Sequence, residues 1–140
     1  MNANRPLCLT ICGYRAAGLS EDEYREHYVN AHVPLVRGLL IKHGIKQYSM
    51  THNTEATRKQ IDQLYNPQFV DMPDYDSFIQ IVFNDIQDFA NFQADPGFIK
   101  NVAPDHTNFH DHKRTRLSIG YIEHFIMGNQ AVGQGQESQV

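Results

Sequence analysis

No run of about 18 apolar residues occurs in this 140-residue chain, so the sequence offers no membrane-spanning helix. The first six residues, Met1 to Pro6, lack the apolar core of a secretory signal, and a cytoplasmic protein is expected. Positive charge is scarce as well. Lys and Arg number 12 against 16 Asp and Glu, and the net charge of −4 (His neutral) offers no general attraction to nucleic acid or an anionic membrane. There is no glycine-rich phosphate loop, no nucleophile elbow and no pair of cysteines at metal-ligand spacing. Nothing therefore points to a nucleotide, a metal or a redox cofactor. Cys8 and Cys12 are the only cysteines. In a strand, at ~3.3 Å per residue, they stand about 13 Å apart, too far for a disulfide. They read as packing residues, or else as thiols lining a pocket.

What is present is a modest core and a set of histidines. Apolar residues make up 41% of the chain, enough for one domain, expected over residues 1–127. Residues 128–140 are rich in Gly and Gln and read as a disordered tail. The first strand is predicted over residues 7–15, with Cys8, Thr10, Cys12 and Tyr14 on one face and Leu7, Leu9 and Ile11 on the other. Ser20 and Glu23 form a capping box that opens a helix, with Leu19 set to staple against Tyr24. The stripe Tyr24, Tyr28, Ala31, Leu35, Leu39 has helical spacing. Pro34 predicts a kink near His32, and Gly44 predicts the helix end.

Further strands are expected over 45–52, 75–83 and 115–126. An additional short helix is predicted over 55–65, before a loop at Asn66 and Pro67. After the third strand, Asn84 is the predicted cap of another helix, with Gln87 in the capping-box position. The order β-α-β-(α)-β-α-β makes this an α+β protein with a ferredoxin-like split βαβ plan. Both main helices cover one face of such a sheet. The other face asks for a partner, and a second copy is the simplest, giving a homodimer whose sheets form a dimeric α+β barrel.

Histidines and carboxylates are the groups that move protons near neutral pH. His52 ends the second strand; it either caps the next loop or acts as an acid or base, with Asn53 beside it to hold an oxygen. Asp105 follows Pro104 at a helix start, and His106 is either a packed side chain or a proton donor into a pocket. His106 and His110 share one helical face, a spacing that resembles a metal pair, but no third ligand stands nearby. His110 and His112 flank Asp111 in a polar stretch and read as exposed. His32, at the proline kink, is a candidate for a pocket role, whereas His27, His43 and His124 read as surface residues. Lys113, Arg114 and Arg116 are either a solvated edge or a grip on a substrate carboxylate.

Several segments, in order along residues 8–126, carry a family resemblance. Residues 11–15, 20–25, 31–36 and 49–54 resemble the EthD-domain fungal polyketide lyases. So do residues 64–69, 74–76, 95–98 and 104–106, then Phe109, Asp111, Lys113, Arg114, Ile119 and Gly120. The resemblance implies a dimeric α+β barrel and a decarboxylase or dehydratase acting on an aromatic polyketide, such as an anthrone or naphthopyrone precursor.

Both reactions build negative charge on a carbonyl oxygen as an enolate forms. The expectation is that His52 and His106 form the acid–base pair and that His32 orients or relays. Tyr14, Tyr48 and Asn53 would bind phenolic and carbonyl oxygens, with Met50 and Phe78 against the flat rings and Asp105 and Asp111 also at the substrate. Decarboxylation is the first expectation, mostly because the resemblance leans that way and also because basic residues are available for a carboxylate. Dehydration of a cyclic β-hydroxyketone is the alternative, and a non-catalytic polyketide-binding protein is the second. No metal or cofactor is expected.

Overall fold

The computed structural model describes residues 5–64, 66 and 71–133. Four strands, β1 (Leu7–Gly13), β2 (Gln47–His52), β3 (Ser77–Phe83) and β4 (Arg116–Tyr121), form one antiparallel sheet in the order β2-β3-β1-β4. This is the expected ferredoxin-like plan. Strand alternation sends Leu9 and Ile11 of β1, with Ile79, Ile81 and Phe83 of β3, toward the helices. Cys8 and Cys12 lie on the other face, and both are free thiols.

Helix α1 (Glu21–His27) opens as its grammar requires. Ser20 Oγ accepts from the backbone N–H of Glu23 at 3.1 Å, and Glu23 returns the bond to the Ser20 N–H at 2.9 Å. Beyond it the predicted kink takes another form. Residues Tyr28–His32 make a π turn that runs straight into α2 (Val33–Lys42), with the Val33 N–H bonded to the Tyr28 carbonyl. Pro34 explains the widening: it has no N–H for the Asn30 carbonyl and its ring crowds that oxygen.

The π turn changes which face is buried. The expected stripe passed through Ala31, Leu35 and Leu39. The buried residues are instead Tyr24, Tyr28, His32, Val36 and Leu40, a spacing of four throughout. An α-helix turns every 3.6 residues, so a four-residue repeat drifts off its face unless a wider turn restores it. One extra residue in the turn brings His32 to the core and leaves Ala31 outside. The helix ends at Gly44 (φ 81°), where Ile45 N–H bonds Leu40 O and Gly44 N–H bonds Ile41 O, a Schellman closure.

Helix α3 (Glu55–Gln60) fills the long connection as predicted and continues as a 3-10 turn over Ile61–Gln63. Pro67 of the expected loop lies outside the described residues. Helix α4 (Ile86–Ala94) is capped by Asp85, whose carboxylate accepts from Gln87 N–H at 2.8 Å; the cap is thus one residue after the predicted Asn84. A second π turn, Phe98–Val102, again stands two residues before a proline, Pro104, and leads into a 3-10 helix over Ala103–Asn108.

The last sheet strand ends at Tyr121 rather than Ile126. Strand β5 (Ile126–Met127) pairs with β6 (Gln130–Ala131) around Gly128 and Asn129, both at positive φ. The tail expected from Gly128 therefore begins inside a small hairpin. Its remainder, residues 134–140, lies outside the described residues.

Candidate active site

The sheet register sets three rows of side chains beneath the helices. One row is Tyr48, Ile81, Leu9 and Ile119; the next is Met50, Ile79, Ile11 and Leu117; the third is His52, Ser77 and Gly13. Helices supply the roof: Tyr28 and His32 from the first π turn, and His106 and His110 from the segment after the second. Between roof and sheet lies a cavity of about 240 Å³, lined mainly by aliphatic and phenylalanine side chains. Its polar lining is Tyr28, Tyr48, Gln93, His32, His106 and His110, with no lysine or arginine among the described residues. That combination, an apolar slot with a few polar groups, suits a flat organic ligand.

Two sides of His32 are defined. The side chain is buried, and its Nδ1 lies 2.9 Å from Asp105 Oδ2. A carboxylate only accepts, so Nδ1 carries the proton and Nε2 keeps its lone pair. Asp105 Oδ1 accepts two further bonds, from His27 Nε2 and Asn108 Nδ2, each at 2.9 Å. Burial pushes the Asp105 carboxyl up, but the bonds from Asn108, His32 and His27 outweigh it and hold the group below its ordinary range.

Burial dominates the imidazoles. It lowers His32 below its ordinary value, although the bond to Asp105 and its charge pull the other way. His106 is brought down to about 4 by burial, with His32 and His112 adding to the effect. His110 is brought down to about 3 by burial, with His106, His32 and His112 adding to it. All three rings are neutral at neutral pH. The Tyr28 and Tyr48 hydroxyls bond one another, and burial raises both phenols, Tyr48 to about 12. Phe109, fully buried, packs against His32 (ring centroids 4.7 Å) and His110 (4.2 Å) and fixes the cluster. Among the described residues no group of three or more His, Cys, Asp or Glu is placed to hold a metal ion.

The structure brings together His32, His106, Tyr48 and Asp105 of the expected set. The others lie elsewhere. His52 and Asn53 line a separate small cleft with Asp22, Tyr24 and Arg25. Their row of the sheet is roofed by Tyr24, whose hydroxyl reaches Ser77 Oγ at 2.8 Å, and the cavity begins one row away. His52 and His106 therefore do not form a facing pair. Tyr14 is outside: its hydroxyl bonds Asp74 at 2.5 Å, and Arg114 lies 3.7 Å over its ring. Phe78 faces away from the helices, because it alternates with Ile79. Met50 packs partly buried against the core without lining the cavity. Asp111 caps the Lys113 N–H at 3.1 Å, a turn role. Arg114 sits on Tyr14 and Asp74, so the cation expected for a substrate carboxylate is not in the cavity.

Three histidines lie deeper than their polar surroundings suggest. His110, read as exposed, lines the cavity, while His27 and His43, read as surface residues, bond Asp105 and the buried Asp95. The available signal for His110 was its position four after His106, together with the small residues Gly13 and Ser77 in strands. These leave a gap above the sheet that larger groups fill.

Residues 16–113 match the family model of the EthD domain. A dehydratase, aurZ, from Gibberella zeae is 48% identical over 126 residues, covering 90% of this chain and 83% of that protein. A decarboxylase, claH, from Passalora fulva is 43% identical over 128 residues, covering 91% and 83%. Among solved structures, an EthD family protein from Bacillus halodurans superposes with a TM-score of 0.56 at 18% identity, covering 82% of this chain and 96% of that one, a likeness of fold. The model match and the two fungal relatives, each spanning most of the chain, place this protein in the EthD domain family.

Proposed function

We propose that this protein is a cofactor-independent lyase acting on an aromatic polyketide, with His32, backed by Asp105, as its base. The observation that carries the reading is the Asp105–His32 pair at 2.9 Å, aimed into an apolar cavity with neutral histidines and two phenols. The relatives' names, dehydratase and decarboxylase, supply the two reactions to be weighed.

Dehydration of a cyclic β-hydroxyketone fits the cavity best, since a neutral substrate needs no cation and none lines the wall. His32 Nε2 takes the proton α to the ketone, and the C–H electron pair moves through carbon to the carbonyl oxygen. N–H and O–H donors among His106, His110, Tyr28 and Tyr48 stabilise that enolate. The His32 imidazolium, steadied by Asp105, then gives its proton to the β-hydroxyl. The enolate pair closes a C=C bond, the C–O bond breaks, and water leaves with His32 neutral again.

A second reading is decarboxylation, favoured by the same apolar wall. An ionised carboxylate loses hydration there, whereas carbon dioxide leaves neutral. The pair of the breaking C–C bond passes to the ketone oxygen, and the carbon takes a proton from a cavity histidine that regains it from solvent.

Incubating the protein with β-hydroxyketone and carboxylic acid polyketides, followed by mass spectrometry, separates the two. Loss of about 18 mass units marks dehydration and loss of about 44 decarboxylation, both by proton transfer. Retained ligand with no mass change would replace the lyase with a binding protein.

The working unit is proposed to be a homodimer in which the sheet faces turned from the helices meet as a barrel. What supports it is that, among the described residues, the helices pack on the opposite face of the sheet, while this face presents Cys12, Thr10 and Phe78 only partly buried. Light scattering at micromolar concentration is expected to give twice the 16.1 kDa chain mass; a monomer overturns the dimer.

A further inference from the structure

The third row of the sheet holds a chain of hydrogen bonds that ends on a cavity histidine. Tyr24 and Ser77 are both buried. The Tyr24 hydroxyl oxygen stands 2.8 Å from Ser77 Oγ and 3.2 Å from His110 Nδ1. Gly13 makes the approach feasible: a Cβ there would fall 2.7 Å from Ser77 Oγ, 3.1 Å from Tyr24 Oη and 3.2 Å from His110 Cε1. The strand thus leaves space for three polar groups where any larger residue would displace them.

Proton accounting chooses one arrangement. Ser77 Oγ has no other hydrogen bond among the described residues. If His110 Nδ1–H donated to Tyr24, the Tyr24 proton would go to Ser77 and the buried Ser77 proton would have no acceptor. In the reverse order Ser77 donates to Tyr24 and Tyr24 donates to His110 Nδ1, so both buried hydroxyl protons are used and the proton left over is the ring N–H of a residue that lines the cavity. A phenol whose burial lifts it to about 12 is a dependable donor at neutral pH. His110, neutral, then carries its proton on Nε2.

We propose that Tyr24 and Ser77 are positioning residues that hold His110 with its Nε2–H available to the cavity, as a donor to the enolate oxygen. This rests on the lyase reading above and assigns opposite tautomers to two histidines: His32 presents a lone pair and His110 a proton. Tautomer, rather than charge, divides the roles.

The test is ¹⁵N NMR of the imidazole rings at neutral pH, on the full chain, beside steady-state kinetics. In the wild type, His110 is expected to show a protonated Nε2 and a bare Nδ1. Tyr24→Phe keeps the ring and removes the hydroxyl. It is expected to convert His110 to a tautomer mixture and to lower kcat about tenfold with KM within about twofold, the scale of one hydrogen bond. A wild-type His110 protonated on Nδ1 overturns the proposal whether or not the variant folds. So does a Tyr24→Phe protein with unchanged tautomer, or with an altered tautomer and unchanged kcat. A wild type inactive on every substrate defeats the lyase reading and the donor role with it, while the NMR still decides the hydrogen-bond order.

Discussion

Replacing Asp105 with asparagine is expected to lower kcat by about 10²–10⁴-fold, the range a positioned base contributes, while the fold persists. Asparagine has the shape of aspartate, but its two ends differ. The oxygen will stay toward His27 and Asn108, which both donate to Oδ1. That leaves the amide NH₂ facing His32 Nδ1, in the place of the Oδ2 that accepts from it. Nδ1 must then accept, the ring proton moves to Nε2, and the lone pair disappears from the cavity. The imidazolium also loses its counter-charge.

The pH profile follows from the same pair. His32 acts as a base only when neutral, and burial sets its pKa below the ordinary value despite Asp105. Wild-type kcat should therefore hold constant from neutral pH downward to below about 6.5, the ordinary histidine value, and fall only in more acid solution. Kinetics of Asp105→Asn across pH 5–8 check both statements. A kcat within about threefold of wild type would remove Asp105 from the mechanism.

Phe109→Ala is expected to destabilise the protein by about 3–5 kcal/mol, a large share of the roughly 5–15 kcal/mol typical of a folded domain. The ring is fully buried and lies against Tyr28 (5.4 Å between centroids), His27 (5.1 Å), His32 (4.7 Å) and His110 (4.2 Å). Truncation leaves a void among groups that cannot collapse into it without breaking the bonds to Asp105. Residual activity should fall as well, since the imidazoles lose their shared wall. Urea denaturation gives the stability change directly, and a loss under about 1 kcal/mol would show that this ring is not the centre of the cluster.

Local chemistry was legible wherever neighbours in sequence decide the outcome. The Ser20–Glu23 box, the Gly44 stop and the strand alternation of β1 all depend on backbone groups within a few residues, and they appear where the pattern puts them. Family resemblance supplied the fold and the two candidate reactions, and the matches at 48% and 43% identity agree with it.

The site was legible only in part. His32, His106, Tyr48 and Asp105 were among the expected residues, and they meet. His52 was read from its place at a strand end, which does not reveal that Tyr24 roofs its row. His110 was read from its polar neighbours Asp111 and His112, although its own ring turns inward.

By itself, then, the sequence determined the order of the four sheet strands and the main helices and the supply of proton-transferring groups, because strand alternation and helix start and stop signals are short-range. Tertiary structure decided which of those groups work together. A π turn before Pro34 shifts the buried face by one residue and brings His32, not Ala31, inward. Packing between segments 73 residues apart in sequence then joins His32 to Asp105. Bond geometry at that distance in sequence depends on where whole elements dock, and no local pattern carries it.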